Sequence, residues 1–136
     1  MSQKSIVRVR SVMRSNYVVV EGLDTVADAL AKMKEDAVGV ALVSKRNDDD
    51  EIGMVLLADI ATQVLARDRS PGRINVYEIM AKPVISVSPD MDIRYCARLF
   101  NNFDLSSAPV VEGDQVVGVV SYNELVLKGL WPSASK

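Results

Sequence analysis

Few side chains in this sequence can do chemistry. Histidine is absent from the 136 residues, which removes the commonest metal ligand and the side chain best suited to acid and base work near neutral pH. Cys96 is the lone cysteine. It can form neither an intrachain disulfide nor a cysteine cluster for zinc, and it lies on an apolar helical stripe, where it is expected to act as a small hydrophobe. The densest acidic run is "NDDDE", Asn47 to Glu51. Oxygens there suit Mg²⁺ or Ca²⁺, but the run lacks the glycine and spacing of an EF-hand loop, so a solvated hairpin turn is the expectation. Two other carboxylates occupy matching places: Asp59 follows Gly53 by six residues, and Glu124 follows Gly118 by six. Each falls at the start of an expected helix, where an acidic side chain is also favoured for dipole reasons alone. No nucleophile with a base and no metal-ligand set can be assembled, so no catalytic residue, metal or required cofactor is expected.

The elements that must position these groups follow from composition and periodicity. With 49% apolar and 25% charged residues, the chain fits one compact globular unit or two small ones sharing a core. Aromatics are 5%, so the core is expected to be aliphatic, and a base-stacking surface is not expected. A formal charge of -2 lacks the basic balance of a general nucleic-acid binder. No apolar stretch approaches the ~18 residues needed to span a bilayer, and the basic start "MSQKSIVRVRSVMRSNY" is followed by no signal-type apolar region. A soluble, cytoplasmic protein with no nucleic-acid or membrane partner is the expectation.

The sequence repeats itself. An offset of 67 places Met13 over Met80, Val20 over Val87, Val26 over Ile93, Met33 over Phe100 and Val43 over Val110. The offset then falls to 65, because the first copy has the longer loop, and Gly53 lies over Gly118. Periodicity switches in the same order within each copy. Tyr17 to Val20 and Val84 to Val87 read as short strands. Val26, Ala29, Leu30 and Met33, and then Ile93, Cys96, Ala97 and Phe100, occupy i, i+3, i+4, i+7, the stripe of an amphipathic helix. Thr25 with Asp28 predicts a capping box, and Asp92 caps the second helix. "VGVALV" with Ile52 to Leu57, and "APVV" with Val116 to Val120, predict hairpins. A closing helix follows each hairpin: about Asp59 to Arg67 with Ile60, Val64 and Leu65 inward, and one starting at Asn123 as N-cap.

Each copy therefore reads β-α-β-β-α, an α/β (α+β) fold, and a unit of roughly 55 residues needs a second to bury a core. The division expected is an N-terminal strand or arm over 1–11, repeats over 12–67 and 79–130, a polar linker over 68–78, and a frayed tail over 131–136. Whether Trp131 covers an apolar patch or meets a second copy is left open.

A β-α-β-β-α unit repeated twice, opening with "VM" or "IM", passing through "SSAPVV" and closing with Gly, five residues and an acidic side chain, resembles a tandem pair of CBS domains, a Bateman module. The resemblance covers Val12 to Leu130. It implies two repeats related by a pseudo-twofold axis, with clefts between them that bind adenosine compounds such as AMP, ADP, ATP, NAD or S-adenosylmethionine. A carboxylate at the closing helix holds the ribose hydroxyls, and a nearby hydroxyl with helix N–H groups favours a phosphate.

Carried onto this chain, the family pattern is split. Asp59 keeps the ribose acceptor, but Leu56 stands where the hydroxyl belongs; Ser121 keeps the hydroxyl, but Glu124 replaces the Asp. The resemblance places adenine against Tyr17, Val18, Val38 and Gly39 in the first copy and against Val84, Ile85, Ser106 and Ser107 in the second. Arg14 and Lys82 are the nearest candidates for a phosphate contact. Each family cleft draws on both copies, and the cleft with Ser121 is the favoured one of the two.

Two readings of different class follow. One is a ligand sensor that signals to a partner protein by a conformational shift; the other is an interaction module with degenerate clefts. A homodimer is expected under both.

Overall fold

The computed structural model describes residues 5–134. They form two compact units, one holding Asn16–Val84, the other holding the described residues up to Ser15 together with those from Ile85 onward. The units do not coincide with the sequence repeats. The opening segment of each repeat folds onto the hairpin of the other.

In the Asn16–Val84 unit, β1 (Val18–Val20) runs parallel to β2 (Val40–Val43), which pairs antiparallel with β3 (Gly53–Leu56). Between β1 and β2 lies a helix, Val26–Asp36, whose Val26, Ala29 and Met33 are buried. It begins at the expected capping box, with Asp28 N–H donating to Thr25 Oγ1 at 3.1 Å and Thr25 N–H to the Asp28 carboxylate at 3.2 Å. Such a cap contributes about 1 kcal/mol. After β3 the chain turns through Leu57–Ile60 and then widens into π-type turns over Ala61–Leu65. Ile60 and Val64 are buried as expected, but Leu65 is 77% exposed, since one residue beyond Val64 the helix has rotated away from the core.

Residues 68–78 are no free linker. Short 3-10 helices cover Pro71–Arg73 and Val76–Glu78, and Ile74, Val76 and Ile79 are buried in the same cluster as Val26, Met33 and Val55. The polar breakers dominate this stretch in sequence, yet its few apolar residues decide its place. Ala81 then pairs with Met54, N–H to carbonyl in both directions at 3.0 and 2.9 Å.

The second unit repeats the plan. The stretch expected as a strand or arm contains a helical turn, Val9–Val12, whose Val9 and Val12 are buried one turn apart; residues 1–4 lie outside the described part. Arg14 then pairs with Val119, again in both directions and at 2.8 Å. The central helix, Ile93–Phe103, buries Cys96 and Phe100, and Asp92 caps it by accepting from Arg94 N–H at 2.8 Å. It ends as its counterpart does: Ala37 and Asp104, 67 residues apart, both take the left-handed conformation at φ 54°. β4 (Ser107–Glu112) and β5 (Gln115–Ser121) form the hairpin.

Here the expected strand over Val84 to Val87 shrinks to a single parallel bridge, Val87 to Val110. Val87 N–H donates to the Pro109 carbonyl and Val111 N–H to the Val87 carbonyl. The next bond along that ladder needs an N–H from residue 109, and proline has none. Leu42 stands at that place in the first copy, where the strand forms.

The closing helix differs from expectation at both ends. Asn123 is not its N-cap, being already helical at φ -56° and ψ -50° without a capping bond; the wide turns run over Glu124–Leu130. The tail expected to fray continues as a helix over Trp131–Ala134, and residues 135–136 lie outside the described part.

Candidate functional site

Most of the residues singled out above fall into two sets, one in each unit, while Val84 ends the Asn16–Val84 unit. In the Asn16–Val84 unit, Tyr17 and Val18 stand at the start of β1, Val38 and Gly39 just before β2, and Leu56 at the end of β3. Because β1 and β2 are parallel and β3 antiparallel, these positions share one end of the sheet. Leu57 N–H donates to the Gly39 carbonyl at 3.2 Å, tying the closing helix to that end. A cavity of about 370 Å³ opens beside it, lined by Leu30, Met33, Val38, Gly39 and Leu57. Leu57 was not anticipated, since it sits one place after the family's hydroxyl position and carries no polar group.

Asp59 is half-buried at the start of the helix. Its Oδ2 accepts from Leu56 N–H at 2.8 Å, so the dipole-and-capping role is real. The other carboxylate oxygen takes no hydrogen bond among the described residues.

The second unit presents a more closed arrangement. Ser107 pairs with Ser121 across β4 and β5, and Ser107 is 8% exposed while Ser106 is exposed. Ser121 donates twice to one Glu124 oxygen, from its N–H and from its hydroxyl, both at 2.8 Å. Glu124 is 5% exposed, and no buried side-chain polar atom among the described residues lacks a partner. The extra methylene that distinguishes Glu from Asp lets this carboxylate reach back to the serine hydroxyl as well as to the backbone. Val84, the last residue of the Asn16–Val84 unit, and Ile85 lie outside any strand, and Ile85 is exposed.

The two phosphate candidates have neighbours of their own. Lys82 Nζ sits 2.5 Å from Asp50 Oδ1, and Arg46 Nε lies 3.2 Å from Asp50 Oδ2. The Lys82 ammonium, with Arg46, holds the Asp50 carboxyl well below the usual carboxylate range. The acidic loop is therefore a solvated turn only in part: Asp48 and Asp49 are exposed, while Asp50 is an anchored counter-ion. Among the described residues no group of acidic or cysteine side chains is placed to hold a metal ion. Arg14 is half-buried, and its backbone is spent on Val119.

Cys96 is fully buried in the Phe100 cluster, and burial pushes its thiol up to about 11. That is the setting of a core residue and not of a nucleophile.

Two hairpins of the same register, two capped helices at an offset of 67, and two acidic closing helices repeat one architecture. The CBS domain profile matches residues 9–66 and again 76–128. This chain belongs to the CBS domain family.

Among solved structures, the hexameric CBS-CP12 protein from bloom-forming cyanobacteria is 34% identical, with a TM-score of 0.91 over 96% of this chain and 76% of that one. A CBS domain pair solved in complex with 5'-methylthioadenosine and S-adenosyl-L-methionine shares the fold, at a TM-score of 0.77 and 19% identity, covering 96% of this chain and 99% of that one. An uncharacterized protein of Methanopyrus kandleri is 25% identical over 122 residues; the match covers 88% of this chain, which spans only 61% of that relative's length.

Proposed function

We propose that this CBS pair is a non-catalytic regulatory module that binds an adenosine-containing ligand of the AMP, ADP, ATP, NAD or S-adenosylmethionine class and signals by a change of conformation. The observation that carries the reading is the Asp59 carboxylate, half-buried and fixed by one oxygen to Leu56 N–H, at the start of the closing helix whose Leu57 lines an apolar recess. A fixed acceptor loses little freedom when it takes a ribose hydroxyl. The adenosine compounds bound by the CBS pair of the same fold support the ligand class. We rank the Asp59 site ahead of the Ser121 site, a reading supported by the free Asp59 oxygen and by the bond from the Ser121 hydroxyl to Glu124.

That closed Ser121 and Glu124 pair favours a second reading for its half of the molecule, an interaction surface whose ligand site has degenerated. Under both readings the protein acts in the cytoplasm, associates with itself and addresses a protein partner.

A thermal-shift screen against adenosine, AMP, ADP, ATP, NAD and S-adenosylmethionine separates the two. A ligand present at about a hundredfold its Kd adds about 2.7 kcal/mol to the folded state. The expected result is a selective rise in Tm that Asp59→Ala abolishes and Glu124→Ala leaves in place. No rise with any compound, from a folded protein, would select the interaction module.

A further inference from the structure

A second recess in the Asn16–Val84 unit lies at the other end of its sheet. β1 and β2 both point their C-terminal ends toward it, whereas Tyr17, Val38 and Leu56 mark the opposite end. It measures about 650 Å³, a volume suited to a small organic molecule. Glu21 and Gly22 form one wall, Lys45 and Arg46 another, and Tyr77 and Lys82 come from the segment that crosses over from the second repeat.

The walls differ in chemistry. Tyr77 lies against Gly22, its N–H donating to the Gly22 carbonyl at 3.0 Å, and a Cβ added at Gly22 would sit 3.5 Å from the tyrosine Cβ. Val43 and Met80 add apolar lining beside the tyrosine. The same lining holds three cations, Lys45, Arg46 and Lys82, and one carboxylate, Glu21. Asp50 anchors two of the cations, taking Lys82 Nζ on one oxygen and Arg46 Nε on the other. The Arg46 side chain is 79% exposed, and its Nη groups donate to no other described residue. Lys45 makes no hydrogen bond or ion pair among the described residues and is exposed.

A recess lined by a tyrosine, two apolar side chains and three cations is the complement of a small aromatic anion, whose ring finds apolar and aromatic contact while its charge pairs with ammonium or guanidinium. We propose that this recess is a second ligand site, distinct from the Asp59 site, that takes a small aromatic anion.

Backbone amide shifts in the full chain test it, using benzoate and phenyl phosphate as probes and inorganic phosphate and benzyl alcohol as controls. Saturable shifts at Gly22, Ser44 and Tyr77 are expected with at least one aromatic anion, and the tighter of the two tells carboxylate from phosphate. Lys45→Glu and Tyr77→Leu should each weaken binding about fivefold, the size of one exposed charge contact. Lys45→Ala repeats the charge test with a smaller perturbation, and spectral dispersion shows that each variant is folded. The proposal is overturned if neither aromatic anion saturates, if a control binds as tightly, or if the variants bind unchanged. Shifts confined to Leu56 or Ser121 would also overturn it, since they belong to the site proposed above.

Discussion

Cys96 sits at the centre of the second unit's core beside Phe100, Val110 and Val120, and its chemistry follows from that place. The folded thiol holds its proton up to a pH of about 11, against an ordinary value of 9.0. The unfolded chain releases that proton earlier, so above pH 9 it binds fewer protons than the folded one. Stability from this group is complete below pH 9 and is lost as pH rises toward 11. A disulfide reagent at pH 8 should label the native protein only as fast as it opens, and Cys96→Ala should remove this component of the alkaline decline. Rapid stoichiometric labelling of the native protein would contradict the burial. The stripe position of Cys96 made this readable from the sequence. The pairing of Lys82 with Asp50 was not readable, because the two are 32 residues apart and meet only once the crossing segment has folded onto the hairpin.

At the scale of elements, each hairpin is held by a glycine at which another chain segment passes. A Cβ at Gly118 would lie 2.7 Å from the Arg14 carbonyl oxygen, and one at Gly53 would lie 2.8 Å from the Met80 sulfur and 3.2 Å from the Ala81 carbonyl oxygen. The first clash is with backbone, which is itself pinned to Val119 by two hydrogen bonds; the second begins at the end of a flexible side chain. Gly118→Ala should therefore destabilise the protein by about 2 kcal/mol and more than Gly53→Ala does, as read from urea unfolding midpoints. Equal or negligible losses would mean that the opening segments are not packed as described. These glycines stand out in sequence as repeat markers, and the methionines "VM" and "IM" do too. That each methionine serves the other repeat's glycine does not follow from the alignment of the copies, since an internal match shows equivalence and not contact.

For the molecule as a whole, the closing helix of the second unit leaves Tyr122, Val126, Leu127, Leu130 and Trp131 exposed. Apolar side chains gathered on one helix commonly mark an association surface, which supports the proposed self-association. Sedimentation velocity at micromolar concentration should show a dimer or a larger assembly, and Leu127→Lys with Leu130→Lys should shift it toward monomer. A wild-type chain that sediments as a monomer would remove the proposal. No described helix is long and apolar enough to cross a membrane.

Local signals determined much of this protein from the sequence alone. Helix stripes, the capping box at Thr25, the Asp92 cap and both hairpins depend on neighbours within one copy, so spacing and residue type were enough to place them. The missing strand over Val84 to Val87 was also within reach, because Pro109 withholds the N–H on which that ladder depends. The tertiary structure decided what depends on distant partners. It drew Ile74 and Val76 out of a polar linker into a core, joined Lys82 to Asp50, and set Arg14 against Val119. Each of these outcomes is set by which distant segment arrives at a given surface, and spacing within one copy does not specify that arrival.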